Sequence, residues 1–265
     1  MATKGFGSGE ALEVLGDLFS KLGREALAIR QSGRMEQSLK GFIKSGAKDL
    51  VTRADTLIEE RIHQCLRTHW PDHGIRGEEG AEERSSSGYE WLIDPIDGTA
   101  GYAAGMDYFS ISAGLTLNGV PELGLIFFPA RGVFAHARRG RGAFINRERI
   151  VTSRGGDLAN ELFVSIGAVE NPAIAQKVQS RGCFLLEVHS FTGTTLLLVE
   201  GKIGAYVHGG ATPFDLGAAE LLALEAGCMV SRWDGSTVEY KQKKIPVILA
   251  RNREIWVELM SICGS

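Results

Sequence analysis

The beginning of the chain contains two stretches in which apolar residues recur every three or four positions. Residues such as Leu15 and Phe19 fall on one side of a helix predicted over 10–30. A second helix is predicted over 54–68, because the Trp-Pro step that follows it cannot continue a helix. Between the two, residues 33–50 are rich in glycine and lysine and lack an apolar period, which predicts a mobile connection.

After residue 90 the apolar positions change to the patterns of β-strands. The run Trp-Leu-Ile before Asp94 predicts the end of a buried strand, and Pro95 should stop that strand because proline has no N–H for the sheet ladder. Asn118-Gly119 is typical of a tight hairpin turn. Strands before and after this turn are predicted over 110–117, 124–128 and 132–137.

The rest of the chain alternates between strand and helix patterns. It predicts strands over 162–166, 184–188, 204–208, 228–232 and 246–250, and helices over 171–181, 193–200, 216–226 and 252–262. The first part of the chain therefore groups its strands together, whereas the second part interleaves strands with helices. The predicted fold class is α+β, built from layers of helices and sheets.

Composition narrows the classes of function. The chain has 265 residues, 44% of them hydrophobic, and a net charge of −3 from 29 basic and 32 acidic side chains. That balance provides no basic field for a nucleic acid, and the run Arg138-Arg139-Gly140-Arg141 is interpreted as a solvated loop. No apolar run reaches the ~20 residues of a membrane span, and four cysteines without Cys-x-x-Cys spacing favour reduced thiols. We expect a cytoplasmic protein with neither nucleic acid nor membrane as a partner.

Candidate chemistry is concentrated where the strand after residue 90 ends. Asp94 and Asp97 lie three residues apart, and Gly98-Thr99 follows as a plausible opening of a turn or helix. Hard cations such as Mg²⁺ prefer oxygen ligands, and phosphate binds to the free N–H groups at a helix N-terminus. From this stretch alone two interpretations stay open, a corner for a divalent cation and a phosphate or a polar turn after a strand.

Acidic residues elsewhere in the chain add to this candidate. Glu78 and Glu79 lie upstream in a segment without helical period, and Asp55 lies at the start of the second predicted helix. Asp215 precedes a run of good helix formers that ends at Gly227, a residue suited to a helix C-terminus. Taken singly, the glutamates fit a solvated surface, and Asp215 fits a helix N-cap.

The order and spacing of these motifs resemble the inositol monophosphatase family, from about residue 10 to about residue 255. The segments that carry the resemblance are Asp49-Leu50-Val51-Thr52 with Asp55, Gly77-Glu78-Glu79, Asp94-Pro95-Ile96-Asp97-Gly98-Thr99, Pro213-Phe214-Asp215 and Glu225-Ala226-Gly227. The resemblance implies a layered αβαβα sandwich and a Mg²⁺-dependent, Li⁺-sensitive phosphatase of small phosphate monoesters, expected as a homodimer. It also implies an N-terminal half, 1–150, with the metal motifs, and a C-terminal half, 151–265, that completes the active site.

The resemblance further implies a ligand set for two to three Mg²⁺ ions. Glu78, Asp94 and the backbone carbonyl of Ile96 would hold one ion. Asp94 would bridge to a second ion held by Asp97 and Asp215. Glu79, which lies beside Glu78, would reach the ions through water. Several carboxylates gathered in one place raise each other's pKa, so cations are needed to keep them ionised.

Other residues are implied to activate water and to bind the substrate. Asp55 and Thr99 match the pair that orients and deprotonates the metal-bound water. The amides of Gly98 and Thr99 would support the phosphate. Lys44 matches a basic residue of a mobile arm, and Gly193-Thr194 lies where the family has a helix start near the substrate.

One departure from the family pattern concerns the choice of substrate. His208 stands where inositol-specific members carry a glutamate that contacts sugar hydroxyls, so inositol 1-phosphate is expected to be a mediocre substrate at best. A structural role for His208, capping a strand in solvent, stays open. Related substrates also stay open, namely histidinol phosphate, fructose 1,6-bisphosphate or a 3′-phosphonucleotide, as does a metal-stabilised regulatory scaffold without turnover.

Overall fold

The computed structural model describes residues 7–32, 37–42, 48–152 and 155–264. Helices in these residues are α1 (Ser8–Gln31), α2 (Arg53–His69), α3 (Thr99–Ala103), α4 (Pro172–Gln179), α5 (Phe191–Val199), α6 (Pro213–Glu225) and α7 (Arg253–Cys263). The first ten strands are β1 (Gln37–Phe42), β2 (Lys48–Thr52), β3 (Gly74–Gly77), β4 (Glu82–Glu83), β5 (Tyr89–Asp97), β6 (Ser110–Leu117), β7 (Val120–Phe128), β8 (Val133–Arg138), β9 (Gly142–Ile145) and β10 (Glu148–Ile150). The remaining strands are β11 (Phe163–Gly167), β12 (Phe184–Leu186), β13 (Ala205–Ala211), β14 (Met229–Arg232) and β15 (Ile245–Ala250).

Most of these strands form two sheets. The larger sheet has eight strands in the order β10-β9-β8-β7-β6-β5-β3-β4, and the smaller has five in the order β12-β11-β13-β15-β14. The larger sheet is antiparallel except for the pair of β3 with β5, whereas β11 runs parallel to both β12 and β13. β1 and β2 pair with each other in a separate antiparallel ribbon. The predicted α+β class is confirmed.

Three apolar cores hold five layers together. The first lies between the larger sheet and helices α1 and α2, the second between the two sheets around α5 and α6, and the third between the smaller sheet and helices α4 and α7. Strand alternation divides the side chains, because Trp91 and Ile93 face the first core while Leu92 faces the second. The order of layers is the αβαβα sandwich that the resemblance implied.

Helix α6 lies directly on the backbone of the larger sheet. A Cβ atom added at Gly114 would lie 2.0 Å from the carbonyl oxygen of Gly217, and one added at Gly124 would lie 2.6 Å from the carbonyl oxygen of Ala218. Glycine at these sheet positions therefore permits the close approach. The N-terminus of α6, with Asp215, is thereby fixed relative to β5.

Many element predictions are confirmed, and two are corrected. α1, α2 and the hairpin turn at Asn118-Gly119 lie where they were predicted, and both turn residues have positive φ. The predicted connection 33–50 contains parts of the paired strands β1 and β2. β5 does not stop before Pro95 but continues to Asp97. Its pairing with β6 shifts register between Asp94 and Asp97, so Pro95 does not have to donate a hydrogen bond to the neighbouring strand.

The two sheets are formed by different parts of the chain. The larger sheet lies within 74–150 and the smaller within 163–250, while the division of the chain into two halves stays a prediction. In the part of the chain that the structure describes, no helix combines the length and the apolar character required to cross a bilayer.

Candidate metal and phosphate site

Three carboxylates meet where the larger sheet contacts the middle helical layer. Asp94 and Asp97 lie at the end of β5, and Asp215 lies in the first turn of α6. One oxygen from each of the three lies within 4.8 Å of the others. Asp94 is 1% exposed and Asp97 is 5% exposed, so water does not screen this concentration of charge.

Asp94 is buried and lies among other carboxylates. Burial raises the pKa of its carboxyl well above the usual value, and Glu78, Asp97 and Asp215 raise the pKa further. Among the described residues, no donor makes a hydrogen bond to its buried Oδ1 atom. A buried carboxylate oxygen without a donor requires either a proton or a cation.

Asp97 is held by the start of α5. Its Oδ2 atom accepts hydrogen bonds from the Ser190 hydroxyl at 2.6 Å, the Thr192 amide at 2.7 Å and the Thr192 hydroxyl. Its Oδ1 atom accepts a hydrogen bond from the amide of Phe191 at 2.9 Å. The helix start therefore fixes the orientation of the Asp97 carboxylate. The sequence analysis missed Ser190 and Thr192, although a serine before a helical run is a typical N-cap signal.

The start of α5 also corrects the position assigned to Gly193-Thr194. The helix begins at Phe191 with Ser190 as its N-cap, rather than at Gly193. Gly193 donates its amide to the Ser190 hydroxyl at 2.9 Å, and the Thr194 hydroxyl donates to the Ser190 carbonyl at 2.8 Å. Both residues are buried inside the helix, and the residues that contact the acidic centre are Ser190, Phe191 and Thr192.

Asp215 is positioned by a capping box at the start of α6. The Thr212 amide donates to its Oδ2 atom at 2.6 Å, and the Asp215 amide donates to the Thr212 hydroxyl at 3.1 Å. Burial, and then the neighbouring Asp97, raise the pKa of Asp215 to about 7 against these hydrogen bonds. The box aims the carboxylate before any ligand arrives.

Asp55 and Thr99 are brought together as the resemblance implied. The Oδ2 atom of Asp55 accepts from the Thr52 amide at 2.8 Å and the Thr52 hydroxyl at 2.5 Å, in the capping box of α2. Its Oδ1 atom lies 3.3 Å from the Thr99 hydroxyl, whose other acceptor is the Ile96 carbonyl at 3.0 Å. Burial raises the pKa of Asp55 to about 6, which leaves it able to take up a proton near neutral pH.

Gly98 lies at the contact between β5, α3 and α5. Its φ of 85° is in the left-handed region, and an added Cβ atom would lie 3.0 Å from the Cβ of Ser190 and 3.2 Å from the carbonyl oxygen of His189. Both constraints require glycine at this position. The tight contact keeps Thr99 next to Asp55 while Asp97 reaches the start of α5.

The loop with Glu78 and Glu79 is anchored by a residue that the sequence analysis missed. Glu59 on α2 accepts the Glu79 amide and the Ala81 amide, each at 2.8 Å. Glu59 is buried beside Gly77, where a side chain would collide with its carboxylate. Glu78 raises the pKa of Asp94 and Glu79 raises that of Asp55, so both glutamates lie on the acidic centre.

His208 lies in the middle of β13, where the regular pairing with β15 ends, within an aromatic enclosure. Its ring meets the rings of Phe191 and Tyr206 edge to face, with centroids 5.4 Å and 5.5 Å away. The Gly210 amide donates to its Nδ1 atom at 3.3 Å. Burial, and then the charge of Lys244, lower the pKa of His208 to about 4, so it is neutral at pH 7. Lys44 lies outside the described residues.

An acidic centre beside two helix starts suits a hard cation and a phosphate, because carboxylates bind such cations and helix N-termini bind anions. The chain matches the inositol monophosphatase family over residues 11–261, belongs to that family and is a phosphoric monoester hydrolase.

Relatives and a solved structure agree with this assignment. Human inositol monophosphatase 1 is 28% identical over 242 residues, covering 84% of this chain and 87% of the relative. Nus factor SuhB of Pasteurella multocida is 30% identical over 215 residues, covering 78% of this chain and 80% of the relative. The structure of the inositol monophosphatase of Thermotoga maritima superimposes with a TM-score of 0.84 at 28% identity, covering 96% of this chain and 97% of the other.

Proposed function

We propose that this protein hydrolyses a small phosphate monoester with the help of two to three Mg²⁺ ions. The observation that carries the proposal is the buried Asp94, whose Oδ1 atom lacks a donor among the described residues while four other carboxylates raise its pKa. The donors gathered there are oxygens, which suit a hard cation. When bound, the ions would neutralise the carboxylates, clamp the phosphoryl oxygens and lower the pKa of a water molecule.

The residues that would hold the ions follow from the site described above. Asp94, Asp97 and Asp215 supply three converging carboxylates, and Glu78 and the Ile96 carbonyl complete the proposed ligand set. Among the described residues, Asp97 accepts three hydrogen bonds at Oδ2 and one at Oδ1, so Oδ1 is the oxygen that keeps a lone pair for an ion, in a fixed direction.

The proton of the attacking water is assigned to the pair of Thr99 and Asp55. Thr99 has one hydroxyl proton, and when it donates that proton to Asp55 its oxygen is free to accept from a water molecule. Asp55 is the proposed general base, since its second oxygen is held by Thr52 and its pKa is about 6. Glu79 beside it, the amides of Gly98 and Thr99, and Lys44 are proposed to assist through water or to bind phosphate.

A panel of substrates tests the proposal directly. Release of inorganic phosphate is measured with Mg²⁺ and with excess chelator, for inositol 1-phosphate, 2-glycerophosphate, histidinol phosphate, fructose 1,6-bisphosphate and a 3′-phosphonucleotide. We expect Mg²⁺-dependent turnover of at least one substrate and less efficient turnover of inositol 1-phosphate than of another. Absence of Mg²⁺-dependent release from every member of the panel would refute the proposal.

A regulatory role without turnover is the second candidate. The similarity to Nus factor SuhB of Pasteurella multocida is the observation that favours it. The two candidates differ in their dependence on Asp55, because a scaffold does not need a general base. A cellular phenotype of deletion that the Asp55→Asn protein restores would favour the regulatory role, and failure to restore it would favour turnover.

The proposal also covers the cellular location, the oligomeric state and the partners of the enzyme. We propose a cytoplasmic homodimer that takes a small phosphorylated substrate and neither nucleic acid nor membrane as a partner. Light scattering on the purified protein, with and without Mg²⁺, would report a mass of twice the 28.6 kDa chain.

A further inference from the structure

Strand β13 of the smaller sheet is irregular toward its C-terminal end, next to the acidic centre. β13 runs parallel to β11, with Gly167 opposite His208, so the carboxyl ends of both strands lie at the same edge. Its pairing with β15 shifts register between His208 and Ala211, which leaves Gly209 and Gly210 in a bulge. Bulges of this kind redirect side chains and are frequent beside active sites.

Two aromatic residues connect this strand end to the acidic centre. Phe191 donates its amide to Asp97 at 2.9 Å, and its ring lies 5.0 Å from that of Tyr206 and 5.4 Å from that of His208. Burial raises the pKa of the Tyr206 phenol, and Asp215 and Asp97 raise it further, so the phenol is neutral and close to the carboxylates. Phe191 therefore contacts both His208 and Asp97, one of the proposed metal ligands.

This strand end presents hydrogen-bond donors and a cation. Since the Nδ1 atom of the neutral His208 accepts the Gly210 amide, its proton is on Nε2, which can donate. The stem of Lys244 packs on the bulge, because a Cβ atom at Gly210 would lie 3.4 Å from the Cδ of Lys244. The Lys244 ammonium is close enough to act on the charge of His208.

Lys244 is available to a ligand. It is exposed, and within the described part of the chain no carboxylate forms an ion pair with it. Glu187 also acts on the pKa of Tyr206, less than Asp215 and Asp97 do, but it is exposed and its carboxylate lies 3.3 Å from the His189 ring. A neutral polyol would leave the cation of Lys244 unpaired, whereas an anionic group would pair with it.

We infer that Lys244, with His208 beside it, selects phosphate monoesters whose leaving group carries a second anion, either a carboxylate or a second phosphate. The inference rests on the proposed phosphatase function and specifies its class of substrate. Lys244 acts here as a specificity determinant, and the ester bond is broken by the residues already assigned. The anion would interact with Lys244 while the scissile phosphate occupies the acidic centre.

Matched substrates separate the two sources of charge. For the carboxylate, 2-phosphoglycolate is compared with 2-hydroxyethyl phosphate, and for the phosphate, fructose 1,6-bisphosphate is compared with fructose 1-phosphate. Values of kcat/KM are measured at fixed free Mg²⁺ for the wild type, Lys244→Gln, Lys244→Arg and Lys243→Gln. Lys243 is the exposed neighbour and serves as the matched control.

We expect the wild type to prefer the doubly anionic member of at least one pair by about fivefold, the effect of one ion pair near water. Lys244→Gln should remove that preference, Lys244→Arg should retain it, and Lys243→Gln should leave it unchanged. High KCl should weaken the preference of the wild type, which tests the inference without any variant.

Three results would overturn the inference. They are no preference in either pair, a preference indifferent to salt, or a loss in Lys244→Gln no larger than that in Lys243→Gln. Failure of the wild type to hydrolyse all four substrates and the earlier panel would instead refute the phosphatase function, so the two failures are distinguishable.

Discussion

At the scale of single residues, the carboxyl of Asp94 is kept out of water while Glu78, Asp97, Asp215 and Asp55 all raise its pKa. Its neighbours relieve their own charge by hydrogen bonds. Asp97 uses the start of α5, and Asp215 and Asp55 use capping threonines. Asp94 has no comparable relief at Oδ1 among the described residues. Its charge is therefore the one that most depends on bound cations.

Asp94→Asn tests this dependence. We expect phosphate release to fall by at least about a thousandfold, because an amide cannot replace a charged bridging ligand. The melting temperature of the metal-free protein should rise, since the amide is neutral without the proton that Asp94 has to take up when it is buried without a cation. Asp17→Asn, an exposed change on α1, is the control and should alter neither measurement. Turnover within tenfold of the wild type would contradict the assignment of Asp94 as a bridging ligand.

Thr99 tests the proposed path of the proton. Thr99→Val removes the hydroxyl but keeps the shape, and kcat should fall by about a hundredfold or more, as for the loss of a positioned proton acceptor. Thr99→Ser keeps the hydroxyl near Asp55 and should retain most of the activity. Steady-state kinetics on the best substrate of the panel give both values. Equal activity in the two variants would remove Thr99 from the mechanism.

At the scale of elements, helix α6 links the acidic centre to the interior of the molecule. Its first turn carries Asp215, and its body lies on the backbone of β6 and β7. Further along the helix, Glu220 is buried and accepts a hydrogen bond from the Tyr240 hydroxyl. Burial raises the pKa of Glu220 to about 7, against the opposing effects of Tyr240 and Arg139.

Glu220 should make stability depend on pH. In the unfolded chain its pKa is about 4.5, so between pH 4.5 and 7 the folded state retains a proton that the unfolded state has released. The free energy of unfolding should therefore fall as pH rises through this window and level off above it. Glu220→Gln should remove this contribution and gain about 1–3 kcal/mol at pH 8 relative to the wild type. Urea unfolding at pH 5 and 8, with the exposed Glu239→Gln as control, measures the effect.

The close contact of α6 with the sheet gives a second test at this scale. Gly114→Ala would place a methyl group 2.0 Å from the Gly217 carbonyl oxygen, so the helix must move. We expect the free energy of unfolding to fall by about 1–3 kcal/mol. Because Asp215 moves with the helix, Mg²⁺ should bind more weakly, so half-maximal activity should require a higher concentration of Mg²⁺. Gly9→Ala in α1, where an added Cβ meets open space, should be neutral or slightly stabilising. Thermal unfolding and Mg²⁺ titration of activity compare the two. Unchanged behaviour of Gly114→Ala would argue against a rigid contact.

The same elements show what the sequence could predict. Apolar periods predicted α1 and α2, and local signals of a strand end and a helix start marked Asp94, Asp97 and Asp215 as candidates. That the three form one metal site was implied only by the family resemblance. Glu59 and Ser190 were missed because their partners, the loop at Glu79 and the side chain of Asp97, are distant in sequence. Nothing local distinguishes Glu59 from a surface polar residue, and the N-cap signal of Ser190 predicts a helix start but not a contact with Asp97. The continuation of β5 past Pro95 likewise depends on a bulge that its neighbouring strand defines.

At the scale of the whole molecule, the acidic centre lies between layers that come from different parts of the chain. Asp94 and Asp97 belong to the larger sheet, whereas Asp215 and the cap of Asp97 belong to the middle helical layer. We propose that Asp97 and Asp215 would hold the ion that leaves together with a product phosphate bound between these layers. Release is then sensitive to whichever cation occupies that site.

Li⁺ and excess Mg²⁺ should both inhibit turnover at millimolar concentrations. An ion trapped at Asp97 and Asp215 after hydrolysis would slow the departure of phosphate, so inhibition should be uncompetitive with substrate or nearly so. Initial rates over a range of LiCl and of MgCl₂ provide the measurement, with KCl at equal ionic strength as control. Activity indifferent to both salts would contradict the proposed route of release.

The capping of Asp97 by α5 also has a consequence for biosynthesis. During translation Asp94 and Asp97 are synthesised first. Ser190 and Thr192, which hold Asp97, follow much later, and Asp215 follows them. A nascent chain that stops before the middle helical layer has acidic side chains but no assembled centre. We therefore expect unfinished chains, and products of translation or proteolysis that lack this layer, to be inactive.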